Sequence, residues 1–272
     1  MVATRYVVEQ AGPASLALLR YVIGVCCLLP PALLASPWPR FARRDLAAIA
    51  ALGIGQFGVL IALLNYGLRF VTSARAALIF ATFPLLTLIV AAALRRERLT
   101  VPKIVGVMLT VAGVGIAIGE NAVGSVTWIG ELAVFASALV GAVCSVLYRP
   151  YVRKYPTVPV SALAMLASVA FLAVFAAGEG FFASVPHFTG LGWSAVAFIG
   201  GSSGIGYFLW LWALAHATPT RVTVFLSLSP LTAAALGALL LGEPLSARLG
   251  VGVAAVILGL ALAHWRAELT AR

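Results

Sequence analysis

Charged residues are scarce in this chain. Only 10% of its 272 residues are Asp, Glu, Lys or Arg, whereas 62% are hydrophobic. About a quarter of the residues in a soluble domain are charged, and a soluble chain of this length could not hide so much apolar surface in one core. Lipid removes that difficulty, because the outer surface of the protein can then be apolar too. The composition therefore predicts an integral membrane protein.

Cysteine is rare as well. Cys26, Cys27 and Cys144 all lie within apolar stretches, and an odd number of such cysteines gives neither a disulfide framework nor a metal-ligand spacing. Neither Lys103 nor Lys154 follows a glycine, so the chain has no phosphate-binding loop. We therefore expect no metal and no cofactor, and ATP-driven transport would need a separate subunit.

Long runs without charge dominate the sequence. A membrane helix needs about 20 mostly apolar residues, and each run fits one such helix, with a long loop added in the seventh. The N-terminal segment lacks the basic start of a signal peptide. These runs predict a polytopic all-α membrane protein. They are 21–39, 46–68, 76–94, 104–119, 132–148, 155–178, 180–220, 222–242 and 249–265.

The net charge of +10 is concentrated in alternate loops. Basic clusters lie at 40–44, 95–103 and 149–154, the pattern typical of cytoplasmic loops in membrane proteins. No basic stripe is interleaved with aromatic residues outside the apolar runs, so we expect no binding of nucleic acid. The basic residues predict the orientation of the chain in the membrane.

The sequence contains an internal repeat. The stretch 72–113 reappears as 218–259 at a constant offset of 146 residues, without gaps. A single register held over so many Gly, Pro, Arg and Glu positions predicts a duplication. The matching pairs include Gly55/Gly201, Gly58/Gly204, Thr72/Thr218, Arg75/Arg221, Pro84/Pro230, Glu97/Glu243, Gly106/Gly252 and Gly113/Gly259.

The repeat predicts the architecture. The run 132–148 has no partner at this offset, so each repeat should contain five helices, and we expect the natural reading frame to begin before Met1. An odd number of helices per repeat forces the two halves into opposite orientations. We therefore predict two inverted five-helix repeats, a ten-helix architecture whose first helix is truncated in this chain. The first repeat would be 1–120 and the second 121–272, with a binding site near the midplane between them.

Three segments carry a family resemblance. Leu19-Arg20-Tyr21 and the segments 67–78 and 229–245 are similar to EamA-type members of the drug/metabolite transporter superfamily. The resemblance implies ten membrane helices, both termini in the cytoplasm at a bacterial inner membrane, and a central cavity lined mainly by membrane helices 1, 3, 4, 6, 8 and 9. It also implies export or exchange of small metabolites. Arg96 stands where the second repeat has Gly242, which suggests a more tightly anchored cytoplasmic loop.

Four residues are candidates for a substrate cavity. Ser203, Tyr207 and Trp210 share one face of membrane helix 8, and Gln56 is the strongest polar group inside membrane helix 3. Polar groups in lipid are costly unless paired, so these side chains should face water or protein. Hydrogen bonding between helices is the alternative interpretation. The neutral, aromatic character of the set favours amino-acid-like or aromatic metabolites.

Four other residues allow two interpretations each. Pro84 and Pro230 lie in mid-helix and are either hinges or bends stabilised by neighbouring hydroxyls. Glu131, in the first turn of membrane helix 6, is either a helix-start acid or a proton-coupling group. Arg20, placed about one turn into membrane helix 2, either extends toward the headgroups, which is the expected case, or contacts the substrate.

Two motifs suggest other functions. The glycines of 53–58 fit a dinucleotide-binding pattern, but neither a preceding strand nor a following acid is present, so helix packing is the better interpretation. The segment 201–204 resembles the active site of rhomboid-type intramembrane serine proteases, with Ser203 as nucleophile and His264 as base. The repeat places glycines at the same sites of the first half, which argues for an architectural role.

These observations predict a protein that is not an enzyme. We expect a secondary transporter, an exporter or exchanger of small metabolites such as amino acids, that works by alternating access. Lipid or sugar-conjugate flipping is the alternative within transport. The expected partners are a small-molecule substrate and the lipid bilayer, and association into a homodimer is left open.

Overall fold

The computed structural model describes residues 2–8, 10–34, 39–96, 100–118, 127–183, 188–223, 226, 232, 236, 238–240, 242 and 247–265. Within these ranges the chain forms helices and no strand. The helices are α1 Val2–Val8, α2 Pro13–Leu34, α3 Arg43–Gly53, α4 Leu60–Gly67, α5 Ser73–Phe80, α6 Phe83–Ala93, α7 Val101–Ile118, α8 Thr127–Lys154, α9 Thr157–Gly178, α10 Gly190–His216, α11 Pro219–Thr223 and α12 Ala247–Trp265.

Six helical segments of the described chain are long and apolar enough to cross a membrane. Each overlaps one charge-free run of the sequence, although the first begins eight residues before its run, and α10 lies inside the long run that was predicted to hold a helix and a loop. The all-α polytopic prediction is therefore confirmed. The segments are Pro13–Pro30, Arg43–Gly67, Arg75–Ala93, Trp128–Lys154, Thr157–Gly178 and Gly190–His216.

The chain divides into two compact units. Unit 1 comprises Met1–Val2, Phe70–Val146 and Pro219–Arg272, and unit 2 comprises Ala3–Arg69 and Leu147–Thr218. At the repeat offset, the segments of each unit correspond closely to one another. Each unit therefore combines equivalent helices from the two halves of the sequence.

In unit 1, α7 and α12 cross through the repeated glycines. A Cβ atom added to Gly113 would lie 2.8 Å from the carbonyl oxygen of Gly252, and one added to Gly259 would lie 2.5 Å from that of Gly106. The contact is reciprocal, since Gly113 and Gly259 are sequence partners and the two glycines that they meet, Gly252 and Gly106, are sequence partners as well. Such reciprocity needs antiparallel helices related by a local two-fold axis, as expected for inverted repeats.

In unit 2, glycines let two other pairs of helices approach. A Cβ atom on Gly204 of α10 would lie 2.9 Å from the carbonyl oxygen of Gly24 in α2. On the other side, a Cβ atom on Gly53 would collide with the backbone of Ala164 in α9, and one on Gly58 would lie 2.9 Å from the ring of Phe171. Gly53 and Gly58 are therefore used for helix packing.

Two irregularities interrupt the membrane helices. A π-helical segment, Ile54–Val59, joins α3 to α4 within one continuous span. A turn at Ala81–Thr82 separates α5 from α6, just before Pro84. Single π segments inside α-helices occur frequently at functional sites.

The end of α6 carries a residue in an unusual conformation. Arg95 has φ 56°, and the Arg96 N–H donates to the carbonyl of Ala91, which closes the helix as a C-terminal cap. The Arg96 side chain donates to the carbonyl of Val146 at 2.6 Å. This bond attaches the loop to α8, as the difference from Gly242 suggested.

Candidate functional site

The contact between α2 and α10 brings Arg20 to Ser203. The Nε atom of Arg20 donates to Ser203 Oγ at 2.5 Å, and Ser203 Oγ donates to the carbonyl of Ile199 at 2.6 Å. Because α2 begins at Pro13, Arg20 lies about two turns into the helix rather than one. Arg20 therefore binds a neighbouring helix instead of extending toward the headgroups, contrary to expectation.

Three aromatic rings surround this contact. The hydroxyl oxygens of Tyr21 and Tyr207 lie 2.8 Å apart and share a hydrogen bond. The ring of Phe57 packs edge-on against Tyr207, with ring centroids 4.3 Å apart, and also contacts Tyr21 at 5.7 Å. Tyr21 and Phe57 are fully buried, whereas Tyr207 is partly exposed. We call Arg20, Tyr21, Phe57, Ser203 and Tyr207 the Arg20 cluster.

Gln56 lies in the π-helical segment beside the Arg20 cluster. Its side chain is 4% exposed, and its Oε1 atom has no hydrogen-bond partner among the described residues. A buried amide oxygen without a partner costs free energy, so its position needs an explanation. A ligand or a water molecule would supply the missing donor.

The predicted cavity residues of α10 have different surroundings. Ser203 is buried and Tyr207 and Trp210 are partly buried, so the predicted face does point toward protein at its first two positions. Trp212 is 48% exposed, and its ring stacks on His216 of the same helix, with centroids 4.4 Å apart. Trp212 thus has about half of its surface exposed, and the aromatic ring that it contacts belongs to its own helix.

Glu131 forms an ion pair in unit 1. Its carboxylate contacts the guanidinium of Arg75, and the two side chains are 12% and 21% exposed. Arg75 lies in the first turn of α5, where its N–H donates to Thr72 Oγ1. Glu131 is thus more than a helix-start acid, because it neutralises a cation inside the membrane spans.

Pro84 ends up at the start of α6 rather than in mid-helix. The hydroxyl of Thr82 donates to the carbonyl of Ile79 at 2.7 Å, and that of Thr87 donates to the carbonyl of Phe83 at 2.9 Å. These hydroxyls satisfy carbonyls around the break, as the bending interpretation requires. Pro230 lies outside the described residues.

Sequence reasoning missed most of the Arg20 cluster. Arg20 was assigned to the membrane surface, and Tyr21 and Phe57 were not considered. The repeat held one signal, since Phe57 is the sequence partner of Ser203 at the offset of 146 residues. Both positions of this pair contact α2, Ser203 through Arg20 and Phe57 through Tyr21.

Within the described chain, the contacts of Ser203 include no general base. Its hydroxyl donates to the Ile199 carbonyl and accepts from the guanidinium of Arg20. A guanidinium stays protonated and cannot act as a general base. The side chain of His264, the base in the protease hypothesis, lies outside the described residues.

Comparisons with known proteins agree on one class. An uncharacterized transporter of Archaeoglobus fulgidus is 27% identical over 260 residues, covering 95% of this chain and 91% of its own length. A probable terminal-alkyne amino-acid exporter of Streptantibioticus cattleyicolor is 29% identical over 269 residues, covering 94% and 86%. A solved crystal structure aligns with TM-score 0.73 at 24% identity, covering 99% of this chain and 93% of its own, and so shares the fold.

The fold and these relatives define a polytopic membrane transporter for a small molecule. The chain belongs to the EamA-like transporter family, whose model matches residues 1–119 and again residues 128–265. The double match confirms that the two halves of the chain are repeats.

Proposed function

We propose that this chain is a secondary transporter that exports or exchanges small metabolites, such as amino acids or related compounds, by alternating access. The Arg20 cluster is the observation that carries the proposal. It places a guanidinium, two phenolic hydroxyls and a serine hydroxyl inside membrane-spanning helices. Ionisable groups at such depth usually serve a solute or ion pathway.

The chemistry of the cluster favours an amino-acid-like solute. Aromatic rings supply apolar contact, and the polar groups beside them can fix the orientation of a small polar molecule. One relative, the exporter of Streptantibioticus cattleyicolor, is named for an amino-acid substrate. Both observations support amino acids or related compounds as the first solutes to test.

We assign the substrate cavity to Gln56, Ser203, Tyr207 and Trp210. The support comes from the unpartnered Oε1 atom of Gln56 and from the bonds of Ser203 and Tyr207 to the Arg20 cluster. All four residues lie in two helical segments that are equivalent in the two repeats.

Two further roles complete the mechanism. The helix break before Pro84, together with the equivalent Pro230, would act as a pair of hinges. Glu131 would couple transport to protons, because protonation of its carboxylate releases the ion pair with Arg75. Alternating access needs such elements that exist in two arrangements.

Orientation follows from the basic residues. We place the protein in a bacterial plasma membrane, with both termini of the full-length protein in the cytoplasm. We assign the inverted repeats to 1–120 and 121–272. The cytoplasmic side then receives Arg40, Arg43, Arg44, Arg95, Arg96, Arg98, Lys103, Arg149, Arg153, Lys154, Arg221, Arg266 and Arg272, against Arg69 and Arg248 outside. A phosphatase fused to the C-terminus should be inactive in a bacterial host. Activity in the periplasm would reverse the orientation.

A counterflow experiment tests transport. Proteoliposomes loaded with one unlabelled amino acid at a time should accumulate the same amino acid in labelled form, faster than vesicles without protein. Replacing Gln56 by Leu should slow this uptake while leaving the yield of folded protein similar. If no amino acid or related compound of the panel shows counterflow, the proposed solute class is wrong.

A further inference from the structure

Arg20 is a cation inside a membrane span for which the described part of the chain provides no carboxylate. The ion pairs recorded there join Arg75 to Glu131 and Lys154 to Asp45. Arg20 instead binds the neutral hydroxyl of Ser203. An arginine in a membrane helix normally pairs with an acid or contacts water, since an uncompensated charge is costly there. Within the described part of the chain, the positive charge of Arg20 is therefore unmatched by a carboxylate.

The hydrogen bonds around Arg20 leave one end of its guanidinium available. Ser203 occupies Nε, and the described residues provide no hydrogen bond to the two terminal nitrogens. These nitrogens form the fork that binds a carboxylate through two parallel hydrogen bonds. Ser203 cannot rotate away easily, because its own proton is used by the Ile199 carbonyl at 2.6 Å. The guanidinium is thus held in place through its Nε atom.

The aromatic part of the cluster adds a second donor. Tyr21 and Tyr207 share one hydrogen bond, which uses one of their two phenolic protons. The other proton has no recorded acceptor within the described chain. Since Tyr21 is fully buried and Tyr207 is partly exposed, a ligand would reach the pair from Tyr207. The site has spare donors of hydrogen bonds beside apolar rings.

We propose that Arg20 binds the carboxylate of the transported solute, with Tyr207 as the neighbouring donor. The substrate class is therefore a carboxylate with an apolar body, and primary amides or amines of the same shape are excluded. This inference rests on the proposed transport function and narrows it, because that function alone would allow neutral or cationic metabolites. Specificity arises since a buried charge rejects a ligand that leaves it unpaired.

Matched pairs of probes test the inference. Purified protein in nanodiscs would be titrated with L-phenylalanine and L-phenylalaninamide, and with L-leucine and L-leucinamide, with binding followed by microscale thermophoresis and by the melting temperature. Wild-type protein should bind at least one acid about 10- to 100-fold more tightly than its amide, the range of a charge-assisted hydrogen bond. Arg20→Gln should abolish that preference, and Arg20→Lys should retain part of it.

Controls separate binding from folding. Arg43→Gln, which removes an exposed arginine at the start of α3, should keep the acid-over-amide ratio. If Arg20→Gln does not fold, Ser203→Ala provides the second variant, because it removes the anchor of Nε but keeps the charge. The acid-over-amide ratio of this variant should fall several-fold relative to the wild type. A wild-type protein without preference for an acid in either pair would overturn the inference, as would an unchanged ratio in Arg20→Gln and Ser203→Ala.

Counterflow distinguishes the two levels of the proposal. If an amino acid and its amide are both taken up into proteoliposomes, and uptake does not depend on Arg20, the carboxylate assignment is overturned and the transport function stays intact. Acids that bind through Arg20 but never cross the membrane would support the binding site and contradict the transport function. Counterflow of acids alone, lost in Arg20→Gln, supports both.

Discussion

The carboxylate of Glu179 binds Ser15 at the start of α2. One oxygen of Glu179 accepts from both the N–H and the hydroxyl of Ser15, at 2.8 and 2.7 Å, and the other accepts from the N–H of Ala14 at 3.0 Å. The residue directly after α9 thus caps the helix that carries Arg20. A carboxylate suits this place, because the N-terminus of a helix has a partial positive charge and unbonded N–H groups.

Loss of this cap should destabilise unit 2. Replacing Glu179 by Ala leaves two N–H groups of α2 without a partner and should lower stability by about 1 kcal/mol, the usual value of a helix N-cap. Ser15→Ala removes only the hydroxyl bond and should cost less. Melting temperatures in nanodiscs measure both. Equal melting temperatures for Glu179→Ala and the wild type would show that water replaces the carboxylate.

The glycine crossing of α7 and α12 gives a second prediction. A Cβ atom at position 259 would lie 2.5 Å from both the Gly106 carbonyl oxygen and Thr110 Oγ1, so Gly259→Ala must push the helices apart and should lower the melting temperature. Gly250, on the same helix, has open space within 4 Å of its added Cβ. Gly250→Ala is therefore the matched control and should be neutral or stabilising. Similar losses in both variants would contradict the close crossing.

Arg95 gives a prediction of opposite sign. Its φ of 56° lies in the left-handed region, where a residue with a side chain costs about 1 kcal/mol more than glycine. Arg95→Gly should therefore raise the melting temperature. Arg96→Gly should lower it instead, because the bond to the Val146 carbonyl is lost. Melting temperatures that shift in opposite directions for Arg95→Gly and Arg96→Gly would support the observed geometry of the α6 cap, and shifts of the same sign would contradict it.

Two tryptophans of α10 should behave differently in transport. Trp210 is partly buried, and we assign it to the substrate cavity, so Trp210→Ala should abolish counterflow at nearly unchanged melting temperature. Trp212 is 48% exposed and contacts His216 of its own helix, so Trp212→Ala should leave counterflow and melting temperature near the wild-type values. Loss of transport in Trp212→Ala alone would place the path on the other face of α10.

The repeat and the apolar runs made much of the fold predictable. Gly106, Gly113, Gly252 and Gly259 stood out in the sequence because they obey one offset, and the structure uses all four in a single helix crossing. Glycine at a membrane helix contact has a local cause, so the sequence alone can suggest it.

The Arg20 cluster could not be predicted in the same way. Its bonds join residues 183 and 186 positions apart, and they depend on which faces of α2 and α10 meet. The depth of Arg20 was also misjudged, because the charge-free run begins after Arg20 whereas the helix begins at Pro13. The cap supplied by Glu179 has no local signal either, since its partners are more than 160 residues away.

The composition of the two units has a consequence for biosynthesis. The residues of unit 2 come from two separate stretches of the sequence, so α2 enters the bilayer long before α10 has been made. During that interval the guanidinium of Arg20 lacks the Ser203 hydroxyl, and the glycine surface at Gly24 lacks its partner helix. Each half-chain, released alone by a ribosome, would insert its helices but complete neither unit. Assembly of this protein is therefore a late event, in which helices already in the membrane exchange temporary lipid or chaperone contacts for those of the second half.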